Sequence, residues 1–281
     1  MRDETLIQQY ITVLDSPAPP GRQKEQVVQD FLEEHSVLIP TPNRLNHQLH
    51  FQSIISKFPL STGLITDYAY LTKSSDTWRI TFVELESPDK DFFNKTTQKV
   101  SKSSTFNAAL DQVRSWKQFM SSNEPEVRAR LFPLMQPPNM RINPIEYEYQ
   151  LIYGRSANKN LTEGRKREFR SLQQDMGITI MTFDQLVDWY RNDLVFEKNV
   201  LRVAHAGFAF KSMAAGLNHI LAYLGPGELF LSSSEIAALK ADGYDMDAWE
   251  HGKLLAVNGR LPLSASNTMF NALLSKQGGR T

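Results

Sequence analysis

The chain has 281 residues, 41% hydrophobic and 22% charged, with 31 basic and 31 acidic side chains and a formal net charge of zero. That balance suits an ordinary globular protein and excludes a global basic field, so any nucleic-acid contact has to come from a local patch. The sequence has no cysteine, which excludes disulfides, thiolate zinc sites and a cysteine nucleophile and fits a reducing cytoplasm.

In chain order, Thr5 to Leu14 reads as a short helix, ended by the Pro-rich linker Ser16-Pro17-Ala18-Pro19-Pro20-Gly21. The N-terminus lacks a basic segment followed by an apolar run, so no signal peptide is expected, and no apolar stretch has the length of a membrane span. Gln23 to Glu34 is an amphipathic helix with Val27, Val28, Phe31 and Leu32 on one face. At about 100° per residue, Glu34 falls on the flank of that face and Glu33 points away from it. Pro40 to Asn46 is a loop, and Gln48 to Phe58 fits either a strand or a helix.

Asp67-Tyr68-Ala69-Tyr70-Leu71 and Thr81-Phe82-Val83-Glu84-Leu85-Glu86 read as two strands joined by a polar hairpin turn. A lysine-bearing loop follows through Lys90, Lys95, Lys99 and Lys102, then a helix from Phe106 to Met120, with Thr105 as its expected cap. Tyr147 to Tyr153 is a buried strand, Thr162 to Met176 a basic helix, Ile178 to Met181 a strand, and Thr182 starts a helix through Trp189. Beyond Leu194, Val200 to Ala209 reads as a strand pair or an irregular segment, and Ser212 to Leu224 as a helix. Ser232 and Glu235 form a capping box, Asn258-Gly259 marks a hairpin, and the tail from Ser275 frays. This succession is a mixed α/β layer architecture.

Strand side chains alternate faces, so Glu84 and Glu86 share one, and Asp67 can lie beside them across the hairpin. Three carboxylates on one surface repel each other unless a cation neutralises them, which points to a divalent-metal site. Such a cation polarises a phosphoryl oxygen and makes water a better nucleophile. The plain alternative is an exposed strand face that happens to carry Glu-x-Glu. Asp followed by Glu-x-Lys on the next strand is the signature of the PD-(D/E)xK nuclease superfamily; here Glu86 stands where that pattern has lysine.

The segments around this pair resemble the Shedu family of bacterial anti-phage defence nucleases. The resemblance is carried by Phe31-Leu32-Glu33-Glu34-His35, Asp67-Tyr68 and Val83-Glu84-Leu85-Glu86-Ser87-Pro88. It continues in Leu110-Asp111-Gln112-Val113-Arg114-Ser115-Trp116, Leu151-Ile152-Tyr153-Gly154-Arg155 and Ile178 to Leu186, all in the family's order from about Gln23 to Tyr190. It implies a restriction-endonuclease-like mixed sheet flanked by helices, DNA nicking or cutting with Mg²⁺ or Mn²⁺, and a homo-oligomer, in the family a tetramer. By the same resemblance Asp67 and Glu84 hold the metal, Gln112 faces the site, and Glu34 is a further acid from the first helix. Glutamate at position 86 cannot supply a lysine's positive charge; it can ligate metal or act as a base, with Lys90 or Lys95 as sources of the missing charge.

A second group, Arg155, Lys159, Arg165, Lys166, Arg167 and Arg170, clusters at a strand end and along the next helix, where it can track a phosphate backbone or form a solvated face of Glu-to-Arg pairs. Arg155, Lys159, Arg165, Lys166, Lys90 and Lys95 are the DNA-contact candidates. His47 and His50 lack a partner cluster and read as ordinary histidines, and Asp245 and Asp247 as a helix start. No phosphate-cradling Gly-rich loop and no G-x-S-x-G is present, which leaves no basis for an NTPase or a serine hydrolase.

The chain therefore divides into an N-terminal arm (1–22), a nuclease-like α/β domain (23–193) and an α+β extension (194–281) whose role the sequence leaves open. The expected activity is that of a metal-dependent endonuclease acting on DNA in the cytoplasm, away from membranes. A catalytically silent DNA-binding or signalling module on the same fold is the alternative.

Overall fold

The computed structural model describes residues 2–45, 49–95, 99–193, 195–214, 216 and 219–255. The chain opens with helix α1 (Glu4–Asp15), whose cap Asp3 accepts hydrogen bonds from the Thr5 and Leu6 N–H groups, and α2 (Lys24–Glu34). Strand β1 (Ser53–Ser56) follows a single 3₁₀ turn at His50–Gln52, which resolves the strand-or-helix ambiguity of that segment. Next come β2 (Tyr68–Lys73), β3 (Trp78–Leu85), α3 (Ser104–Leu131), β4 (Ile145–Ile152), α4 (Ser156–Asn160), α5 (Glu163–Met176), β5 (Thr179–Met181) and α6 (Phe183–Asn192). The remainder holds β6 (Asn199–Ala204), β7 (Gly207–Ser212), β8 (Leu229–Phe230), α7 (Ser233–Ala241) and α8 (Met246–Glu250).

The strands form one mixed sheet in the order β5-β4-β3-β2-β1-β6-β7-β8. β1, β2 and β3 are antiparallel neighbours, whereas β3, β4 and β5 run parallel, with helices as crossovers. β6 pairs in parallel with β1, Ser53 opposite Asn199 through Ser56 opposite Arg202, so the segment after 194 extends the same sheet.

Alternation along the strands builds a core on each face. Ile55, Leu71, Ile80 and Phe82 pack with Phe106, Leu110, Val113 and Trp116 of α3. Ile54, Tyr68, Tyr70, Val83 and Leu85 face the other way, against Tyr10 and Leu14 of α1, Val28 and Leu32 of α2, and Leu186 of α6. Among the described residues no helix is long and apolar enough to cross a membrane.

Three local expectations change. The cap of α3 is Ser103, which accepts from the Phe106 N–H, and the helix continues to Leu131 through a kink at Asn123, just before Pro125. The stretch after Ser212 is not a continuous helix. β7 pairing reaches Ser212, Gly216 adopts a left-handed φ of 76°, and among the described residues of this stretch the helical structure is a 3₁₀ turn at His219–Ala222. A short helix, α4, follows β4 where none was anticipated. The Ser232–Glu235 capping box and the Asp245 helix start both form. His47, the Asn258-Gly259 hairpin and the tail lie outside the described residues.

Candidate active site

The site is built where β1, β2 and β3 meet. Tyr68 lies opposite Val83 and Ser56 opposite Tyr68. One step further, this register sets Asp67 opposite Glu84 and Lys57 opposite Asp67. The backbone agrees: the Asp67 N–H donates to the Val83 carbonyl at 3.0 Å, and the Asp67 carbonyl accepts from the Lys57 N–H at 2.8 Å. Pairing with β4 continues past Leu85, because the Glu86 N–H donates to the Ile152 carbonyl at 2.9 Å. Asp67, Glu84 and Glu86 are all buried, at 5%, 6% and 8% exposure, which excludes an idle solvent-facing Glu-x-Glu.

Each carboxylate is handled differently. Asp67 Oδ2 accepts from the Leu85 N–H at 2.6 Å, and Oδ1 accepts from the Lys57 ammonium. Glu86 accepts from the Lys90 ammonium, four residues on in sequence. Glu84 Oε2 is buried without a hydrogen-bond partner. Burial pushes the Glu84 carboxyl up to about 10, helped by the charges of Asp67, Glu86 and Glu25 and opposed by Lys57. Burial also raises Asp67, with the Lys57 charge and hydrogen bond and the Leu85 N–H pulling the other way. Burial disfavours the Lys57 charge, but Asp67, Glu25 and Glu84 outweigh it and the ammonium is held more firmly than usual.

Two members of this group escaped the sequence reading. Glu25, in the first turn of α2, is half-buried and raised by burial and then by the Asp67 and Glu86 charges, which places it at the cluster. Its signal was present: Glu25, Val28 and Leu32 share one stripe of the helix. Lys57 is the residue just past β1, its N–H donating to the Asp67 carbonyl, a placement hidden by the ambiguity of that segment. Glu34, by contrast, is exposed and lines a shallow groove with Thr5, Gln8 and Thr12 of α1, so the acid α2 contributes to the cluster is Glu25. Glu33, expected to point away, is buried, accepting from Ser56 Oγ at 2.6 Å and pairing with Lys211. α2 packs against α1 on one side and the sheet on the other, so burial covers a wider arc than its apolar stripe.

A family model described as "Shedu protein SduA, C-terminal" matches residues 22–187, more than half of the chain. The chain belongs to the Shedu family. That membership points to anti-phage defence. No curated protein matches the chain. The Shedu match contains Glu25, Lys57, Asp67, Glu84 and Glu86, while β6 to α8 lie beyond it.

Within the Shedu-matched region the other expected residues separate. Gln112 is exposed on α3 and forms no hydrogen bond to the carboxylates among the described residues. Arg155 is committed to structure: Nε donates to Asp184 and a terminal nitrogen to Asp15, each at 2.7 Å, clamping α1 to α6. Arg165 is 2% exposed, donates to the Asn158 and Asn94 carbonyls, and stacks over Phe93, so it cannot reach a phosphate backbone. Lys159 lies over the Phe169 ring and Lys166 pairs with Glu163 at 2.6 Å; both line an open groove of about 460 Å³ with Arg170. Lys95 is exposed. His50 Nε2 contacts the Leu134 carbonyl at 2.9 Å, and burial pushes the ring down to about 3, so it is a neutral core histidine. Gly154, at the end of β4, has φ of 53°, and a Cβ there would meet the Lys90 carbonyl oxygen at 2.4 Å; the close approach seats the Lys90 loop.

Proposed function

We propose that this Shedu protein is a divalent-metal-dependent DNA endonuclease of the PD-(D/E)xK type, acting in anti-phage defence. The observation that carries the reading is the buried row of Asp67 and Glu84, with Glu86 and Glu25 beside it and Glu84 Oε2 left without a partner. Four carboxylates that act on one another this strongly cannot all ionise without added positive charge. Among the described residues no group of three or more His, Asp or Glu side chains is already drawn together as a metal cluster. Lys57 and Lys90 hold Asp67 and Glu86 instead. The all-oxygen donor set and the orphaned Glu84 oxygen fit a hard cation such as Mg²⁺ or Mn²⁺.

Asp67 and Glu84 are the residues that would hold the cation, with Glu86 and Glu25 adjacent. A bound cation would polarise the phosphoryl oxygen and acidify water. The chain's own groups do the rest. Glu86 accepts the proton of the attacking water as its oxygen bonds to phosphorus. One phosphorus–oxygen ester bond breaks, and the leaving oxygen takes a proton from solvent. Lys95, and Lys159, Lys166 and Arg170 around the α5 groove, supply backbone contacts. Homo-oligomerisation belongs to the same reading and is checked by light scattering.

In the decisive experiment, Glu84→Ala is expected to abolish Mn²⁺-dependent plasmid nicking while the chain stays folded; retained activity refutes the assignment. Glutamate at position 86 favours a second reading, a silent DNA-binding module. Calorimetry with no metal binding, beside a salt-sensitive DNA shift, would select it.

A further inference from the structure

We propose that Lys57 is a catalytic residue of this site, its ammonium stabilising the negative charge that builds on the phosphoryl oxygens; the inference rests on the nuclease reading above. Lys57, Asp67 and Glu84 occupy one row across three adjacent strands, the lysine at its end. Half of the Lys57 side chain is exposed, against 7% for Asp67, so the lysine is the solvent-facing member of the pair and the carboxylate the buried one. Lys57 has φ of 50°, in the left-handed region that a non-glycine residue adopts only when the surrounding structure holds it there. The surrounding pairing holds it there through the hydrogen bond from its N–H to the Asp67 carbonyl.

Charge supplies the rest of the argument. Among the described residues, Lys57 and Lys90 are the cations that act on Glu25, Asp67, Glu84 and Glu86. Hydrolysis of a phosphodiester adds negative charge to this already acidic cluster. Lys90 is tied to Glu86, the acceptor of the water's proton. Once Asp67 is engaged by a cation, the flexible Lys57 stem can swing its ammonium to an incoming phosphoryl oxygen. Lys57 donates a hydrogen bond and loses no proton in the step; water still delivers its proton to Glu86.

The test uses the full chain, supercoiled plasmid and Mn²⁺ alone as the calorimetric probe. Lys57→Met is expected to slow nicking by about 100-fold with Mn²⁺ affinity unchanged or tighter, because the ammonium no longer competes for Asp67. Lys240→Met, on the exposed face of α7, is the control with unchanged nicking. Wild-type nicking rates in Lys57→Met, or joint loss of nicking and Mn²⁺ binding, overturn the proposal. If Lys57→Met fails to fold, Lys57→Gln decides, since it removes the charge and keeps a polar side chain: slower nicking with intact Mn²⁺ binding supports the assignment, and unchanged nicking overturns it. A wild-type chain that neither binds Mn²⁺ nor nicks defeats the nuclease reading, and this assignment with it. An active wild type with an equally active Lys57 variant defeats this assignment alone.

Discussion

Glu84→Gln keeps the shape of the buried side chain and removes its ionisation. In the folded chain the Glu84 carboxyl is pushed from its ordinary 4.5 up to about 10, so the native state keeps a proton that the unfolded chain releases. The contribution is therefore full below 4.5 and is lost as pH rises from 4.5 toward 10. At about 1.4 kcal/mol per unit, the roughly 2.5 units between 4.5 and neutrality amount to about 3 kcal/mol. At neutrality this figure is the same for any native value well above 7. Glutamine does not titrate, so without metal Glu84→Gln is expected to be more stable than wild type by about 3 kcal/mol near pH 7 and by almost nothing near pH 4.5. Mn²⁺ favours the ionised carboxylate, so it should stabilise wild type and leave the variant unchanged. Urea unfolding followed by tryptophan fluorescence, with chelator or Mn²⁺ across that pH range, measures both effects. A stability gap that does not widen with pH, or a variant less stable than wild type near neutrality, refutes the argument.

Glu33→Ala removes a buried carboxylate that joins α2 to β1 and β7 through Ser56 and Lys211, and should cost about 3 kcal/mol in urea unfolding; a loss within error would show that the contact is dispensable. Lys198 is buried, donates to the Ser36 and Phe196 carbonyls, and is pushed by burial from 10.5 down to about 7. Its depressed value makes wild-type stability rise with pH between about 7 and 10.5. Lys198→Met should flatten that rise in pH-dependent melting, and an unchanged slope would contradict the buried charge. Arg155→Ala should cost about 1 kcal/mol and expose the 16–21 linker to proteolysis, with the salt slope of DNA binding unchanged. Lys166→Ala should lower that slope by about 1, and the reverse outcome would return Arg155 to the DNA interface.

Much of the fold is local and was legible in the sequence. The Val28–Leu32 stripe, the alternation through Phe82, Glu84 and Glu86, the helix starts at Thr162 and Thr182 and the capping box at Ser232 all follow from periodicity and side-chain chemistry within a few residues. The same alternation put Glu84 and Glu86 on one face and Asp67 across the hairpin. The sequence alone also carried the Shedu resemblance, because the motifs keep their order along the chain. Only the tertiary structure decided which charges serve the cluster. Glu25 joins it and Glu34 does not, because α2 docks with its first turn toward the end of β3. Arg155 and Arg165 are consumed by partners distant in sequence, Asp15, Asp184 and Asn94. Lys57 reaches Asp67 through the β1–β2 register. Periodicity says which way a side chain points within its own element; its charge partner is set by how elements far apart in sequence pair and pack, and for this site that pairing was settled only in the folded sheet.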